Sequence, residues 1–172
     1  MANSRYQRLL VKDFHSLLKE PSEFFTLRPI NDNFYHFTAT IHGLEGSLYE
    51  GGHFLLDIKV NKDYPFDCVK MTFLTPILHP GIDSAGNICP STINDGEPCM
   101  RLEKKLHLLV STLYDPKGLL WRERNAKIVA MFVSDRERFN QKAREYTRLH
   151  ATQSKHAELY TKQYAENSMN SS

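Results

Sequence analysis

Four short stretches alternate apolar and polar residues with a period of two: 24–29; Tyr35, Phe37, Ala39 and Ile41; Phe54, Leu56 and Ile58; and Val69, Met71 and Phe73. Such alternation is the mark of half-buried strands. Their connectors are Asn31-Asp32-Asn33, the glycine-bearing stretch 43–52, and a proline-containing loop. None can carry the long crossover that parallel neighbours need, so the chain is expected to form an antiparallel meander of four strands with one face open to a helix. Residues 4–19 place Tyr6, Leu10, Phe14 and Leu17 at helical spacing before Pro21 stops the pattern. Leu102, Leu106, Leu109, Val110 and Leu113 mark a buried helix that breaks after Tyr114 at Asp115-Pro116-Lys117-Gly118. A further helix is expected over 123–132. The last begins at Ser134, whose hydroxyl and Glu137 would make a capping box, and packs through Phe139, Ala143 and Tyr146. The fold class is therefore α+β. One core domain is expected over residues 1–150, with 151–172 as a polar extension, helical and then frayed.

A chain of 172 residues with 41% hydrophobic side chains can bury a real core. Its apolar runs are too short to cross a membrane, and Met1-Ala2-Asn3-Ser4-Arg5 lacks the apolar centre of a signal peptide, so a cytosolic or nuclear location is expected. Cys68, Cys89 and Cys99 are odd in number and form no Cys-x-x-Cys pair, so free thiols are expected and neither a disulfide framework nor a metal site. Residues 1–100 hold 8 basic and 12 acidic side chains, residues 101–172 hold 14 and 8. The basic half alternates its cations with Glu on expected helices, and no nucleic-acid-binding signature accompanies it, which reads as a solvated surface.

The chemistry gathers at residues 78–89, Leu-His-Pro-Gly-Ile-Asp-Ser-Ala-Gly-Asn-Ile-Cys. Pro80 fixes its own φ, Gly81 and Gly86 permit tight backbone, and Asp83, Ser84 and Asn87 can satisfy local N–H groups. The loop is thus irregular yet ordered, and it should deliver an accessible Cys89 thiol. Taken alone, a lone cysteine reads first as a small hydrophobe, and it is the context of Cys89 that reverses this. His79 admits two roles, a base that lowers the thiol pKa or a hydrogen-bonded brace.

The ordered set Tyr49-Glu50-Gly51-Gly52-His53-Phe54, Tyr64-Pro65-Phe66, Phe73-x-Thr75-x-Ile77-x-His79-Pro80 and Gly86-Asn87-Ile88-Cys89, followed by the 134–147 helix, resembles the ubiquitin-conjugating enzymes over about residues 5–150. In that family a His-Pro-Asn turn precedes the cysteine by the spacing that separates Gly81 from Cys89 here. The resemblance implies the family's fold and a Cys89 that accepts ubiquitin, or a related modifier, as a thioester from an activating enzyme. That enzyme has already consumed ATP, so no cofactor is needed. His79 would brace the loop, and Gly81 takes the place of the family Asn. The resemblance also implies partner contacts for an activating enzyme and a ligase at Arg5, Arg8 and Lys12 of the first helix, at Pro65 and Phe66, and at Glu97 and Pro98. Thr26 falls where the family has a sheet-face residue able to bind ubiquitin non-covalently, though a strand threonine needs no such role. A monomer is expected.

The departures are concentrated in lysine transfer. Gly81 lacks the amide, the stretch between Asp115 and Asp135 offers Glu123 as its one acid among Lys117, Arg122 and Arg124, and the single Trp121 lies away from the cysteine. Transfer from thiol to thiol asks less of an oxyanion site than amide formation, so passage to a ligase cysteine is favoured. Two other readings stand beside it. One is a catalytically degenerate binding module of the same fold; the other is a conjugating enzyme for a ubiquitin-like modifier such as SUMO.

Overall fold

The computed structural model describes residues 5–66, 69–89, 100–115 and 125–169. Four strands form one antiparallel sheet in sequential order: β1 Phe25–Ile30, β2 Asn33–His42, β3 His53–Lys59 and β4 Lys70–Phe73. Asn31 and Asp32 close the first hairpin at positive φ, 51° and 55°, which these two residue types tolerate better than most. Register then sorts the side chains. Ala39 opposes Leu27 and Leu56, and Ile41 opposes Phe25 and Phe54, so the large apolar residues of all four strands share one face. That face is covered by α1 (Arg5–Lys19) through Leu10, Phe14 and Leu17, and by α2 (Leu102–Tyr114) through Leu102, Leu106, Leu109 and Leu113. Each such buried side chain contributes about 1.5–3 kcal/mol relative to exposure.

Two helices follow, α3 (Ala126–Ser134) and α4 (Arg136–His150). They lock together where the Phe132 and Phe139 rings meet edge to face at 5.0 Å. The expected capping box at Ser134 is not the one formed. Ser134 ends α3, its hydroxyl donating to the Ala130 carbonyl, and the carboxylate of Asp135 accepts from the Arg138 N–H at 3.1 Å. A charged acceptor one residue later matches the positive helix end better than a hydroxyl.

The opposite sheet face carries Thr26, Thr38, Thr40, His42, Leu55 and Asp57, and α5 (Gln153–Met169) lies across it. The His53 N–H donates to the Ala151 carbonyl and sets the start of the helix against β3. Gln163 Nε2 donates to Asp57 Oδ1 at 2.6 Å, and the Tyr164 hydroxyl to the Pro29 carbonyl. Leu55 is fully buried.

Two details of α1 differ from its expected stripe. Tyr6 is 36% exposed and packs on Phe66 instead of entering the core. Asp13 is buried: its carboxylate accepts from the Tyr64 hydroxyl at 2.9 Å and from Arg101 at 3.2 Å, while that Tyr64 oxygen accepts from the Leu102 N–H at 2.7 Å. This chain of bonds ties α1, the 61–66 turn and the first residue of α2. Asp13→Ala should lower the unfolding free energy by about 1–3 kcal/mol, read from a urea midpoint; a change within a few tenths would mean water replaces the carboxylate.

Candidate active site

Cys89 ends a loop that the chain fastens by hydrogen bonds along its length. The Phe73 N–H donates to the Gly86 carbonyl at 2.8 Å, which hangs the loop from β4. Inside the turn the Asp83 carboxylate accepts from the N–H groups of Ala85 and Asn87, both at 2.9 Å, and from the Asn87 side-chain amide. The strand-like return 87–89 pairs with Ile82 and places the Cys89 N–H on the Gly81 carbonyl at 2.8 Å. Gly86 sits at φ +82°, and a Cβ there would lie 2.0 Å from the Phe73 carbonyl oxygen, so no other residue fits.

His79 is fully buried, with both ring nitrogens engaged. Nδ1 accepts from the Gly81 N–H at 2.9 Å, and Nε2 donates to the Thr112 carbonyl at 3.2 Å. This fixes a neutral tautomer and leaves Nδ1 no lone pair for a thiol proton. Burial pushes its pKa from 6.5 down to about 4, with the Thr112 bond opposing. An unfolded chain takes up a proton at this residue below its ordinary value of 6.5, while the folded one does not. The stability contributed is therefore complete above that value and falls with acidification, by about 3 kcal/mol at pH 4. His79→Gln should flatten the pH dependence of a urea midpoint across that window; an undiminished slope would assign it to other groups.

Two further side chains hold the loop, in bonds that sequence reading did not assign to them. The Tyr49 hydroxyl donates to the Leu78 carbonyl at 2.9 Å, its own pKa raised by burial. Asn125, at the start of α3, donates its amide to the Ile82 carbonyl at 3.1 Å. The aromatic at 49 belonged to a motif that hinted at a role. Asn125 gave no signal, because its partner is 43 residues away.

The thiol differs from expectation. Cys89 forms no disulfide among the described residues, yet it is only 7% exposed, part of the core cluster and not laid open on the loop. Cys68 and Cys99 lie outside the described residues, as do Glu97, Pro98, Lys117, Trp121, Arg122 and Glu123. Among the described residues no group of His, Cys, Asp and Glu is arranged to hold a metal ion.

The expected partner residues that are described do come together in part. Arg5, Arg8 and Lys12 project from the exposed side of α1. Phe66 is 63% exposed beside half-buried Pro65, and its ring meets that of Tyr6 at 5.7 Å. Helix and loop thus form one surface with an aromatic centre and a cationic edge.

The sequence model of the ubiquitin-conjugating enzymes matches residues 9–147, which spans α1 through most of α4 and includes the whole Cys89 loop. The chain belongs to the ubiquitin-conjugating enzyme family. A curated Arabidopsis thaliana protein, "Probable ubiquitin-conjugating enzyme E2 31", is 37% identical over 145 residues, covering 83% of this chain and 91% of that one. The fold is likewise shared. A Plasmodium yoelii crystal structure described as a ubiquitin conjugating enzyme aligns with TM-score 0.77 and 28% identity over 88% of this chain and 99% of its own. The ubiquitin conjugating enzyme E2 domain of a Toxoplasma gondii protein aligns with TM-score 0.74 and 28% identity over 86% and 100%. The α+β fold with its four-stranded meander is that of the family, and membership implies a transferase of the ubiquitin conjugation pathway that meets ubiquitin, an activating enzyme and ligases. Among the described residues no helix is long and apolar enough to cross a membrane.

Proposed function

We propose that this ubiquitin-conjugating family member accepts ubiquitin on Cys89 as a thioester and passes it preferentially to a ligase cysteine. The observation that carries the reading is the fastened loop that ends at Cys89, with Gly81 contributing only backbone to it. In loading, the Cys89 thiolate attacks the thioester carbonyl on the activating enzyme, and that enzyme's thiolate leaves. In discharge the roles reverse: an incoming ligase thiolate attacks, and Cys89 leaves as thiolate. Neither step needs a cofactor on this chain. In both steps a thiolate attacks and a thiolate leaves, with no proton to remove from the adduct, so both tolerate a site with no side-chain amide at position 81. A lysine amine expels the same Cys89 thiolate but must lose a proton as its adduct forms, and leans more on such a donor.

His79 acts in this scheme through position, since its nitrogens are spent on Gly81 and Thr112. The α1 and Phe66 surface receives the activating enzyme and the ligase. A location in the cytosol or nucleus and a monomeric state fit this role.

The test is a loading reaction with activating enzyme, ATP and ubiquitin, read on a non-reducing gel. Wild type should give an adduct that thiol removes, and Cys89→Ala none. Failure with ubiquitin but success with a related modifier would reassign the cargo. Failure with all of them would leave a binding module that keeps the fold without the chemistry.

A further inference from the structure

Between α5 and the sheet face it crosses lies a cleft of about 430 Å³. It is far larger than the roughly 30 Å³ of one water and within the range of small-ligand sites. Its lining draws on every layer of that side: Arg28 from β1, Thr40 and His42 from β2, His53 from β3, and His156 and Tyr160 from α5. The His42 and His53 rings stand 5.5 Å apart, and those of His53 and His156 6.1 Å. Thr40 Oγ1 and His156 Nε2 are hydrogen-bonded at 2.8 Å, and the Tyr160 hydroxyl lies against the Arg28 guanidinium.

The charges here are one-sided. No carboxylate lines the cleft among the described residues. Asp57, on the same sheet face, is taken by His36 Nε2 at 2.6 Å and by Gln163, with Lys59 at 3.8 Å. Lys155 of α5 donates to the Leu149 carbonyl and adds a further cation at the helix start. His42 and His156 are both held below their ordinary pKa, first by burial and then by repulsion from neighbouring imidazoles. No carboxylate among the described lining residues relieves that repulsion, and a donor set of imidazoles, guanidinium and hydroxyls is suited to oxyanions.

We propose that this cleft binds a phosphate-type dianion, held by Arg28, His42, His53 and His156, which bridges the sheet to α5. Binding draws protons onto His42 and His156, whose free forms take them up only below the ordinary histidine value, so the site strengthens as pH falls toward and below that value. The proposal stands independently of the chemistry at Cys89.

Sulfate is the first probe, because it stays a dianion across the whole range and its pH dependence reports the protein alone. Calorimetric titration of the full chain should give saturable sulfate binding at least about tenfold tighter at pH 6 than at pH 8, with proton uptake. In its presence the His42 and His156 imidazole resonances should titrate at higher pH. Arg28→Gln should weaken binding by about 10- to 100-fold, and His42→Gln should reduce the pH dependence, while amide exchange of β2 and β3 stays unchanged in both. Inorganic phosphate and phenyl phosphate then identify the source. Tighter phenyl phosphate binding supports a small phosphate ester, and equal binding supports free phosphate. Absence of saturable binding at pH 6, pH-independent binding, or binding untouched by both substitutions would overturn the proposal.

Discussion

Gly86→Ala should destabilise the protein by about 3 kcal/mol or more and largely abolish loading at Cys89, whereas Gly46→Ala should cost only about 1 kcal/mol and leave loading intact. The two glycines share a backbone conformation, φ +82° and +79°, so each pays for a side chain in the left-handed region. They differ in what the new Cβ meets. At Gly46 nothing lies within 4 Å, and at Gly86 the Phe73 carbonyl oxygen is 2.0 Å away with the rest of that peptide close behind. The Gly86 carbonyl also receives the Phe73 N–H, so moving the turn to make room breaks the bond that hangs the loop from β4. The difference between the two variants isolates this close approach from conformational strain. Urea denaturation of both, beside a loading gel, makes the comparison; equal midpoints would mean that the 83–87 turn rearranges at no cost.

The sheet was legible in the sequence because its pattern is local. Alternation at Phe37, Ala39 and Ile41, and connectors too short to cross over, fix strand order and the buried face without reference to the rest of the chain. The loop to Cys89 was legible for the same reason, since its turn residues satisfy one another within a few positions, as Asp83 does with Ala85 and Asn87. What stayed hidden depends on distant partners. Asp13 reads as a polar interruption until Tyr64 and Arg101 are brought to it, and Asn125 as one more polar residue of the expected 123–132 helix until Ile82 is. Cys89 reads as open because nothing in a turn sequence records the packing that leaves it 7% exposed. The seating of α5 was hidden most completely. Its contacts to the sheet run through His156, Gln163 and Tyr164, polar side chains that leave no apolar stripe to read.

Gly81→Asn is expected to raise discharge onto free lysine on the order of 100-fold while leaving loading within about twofold. Both backbone groups of Gly81 are already committed, the N–H to the His79 side chain at Nδ1 and the carbonyl to the Cys89 N–H, and neither bond would use a side chain at position 81. Its φ is not positive, unlike those of Gly46, Gly51 and Gly86, so the backbone does not demand glycine there. The substitution therefore adds an amide donor at a position whose two fastening bonds use only its backbone. An amide at this buried position needs partners of its own and costs about 1–3 kcal/mol if it finds none, so the urea midpoint must be measured alongside. A gain confined to lysine discharge would place the limit on amide formation at the missing donor, and would explain why thiol transfer is the favoured outlet in its absence. Equal gains in loading and discharge would point instead to a general opening of the nearly covered thiol. Unchanged lysine discharge with intact loading would move the limit to the acceptor side, where the incoming amine must be positioned and deprotonated. In each case the ratio of the two rates carries the information, because loading forms the Cys89 thioester that lysine discharge consumes.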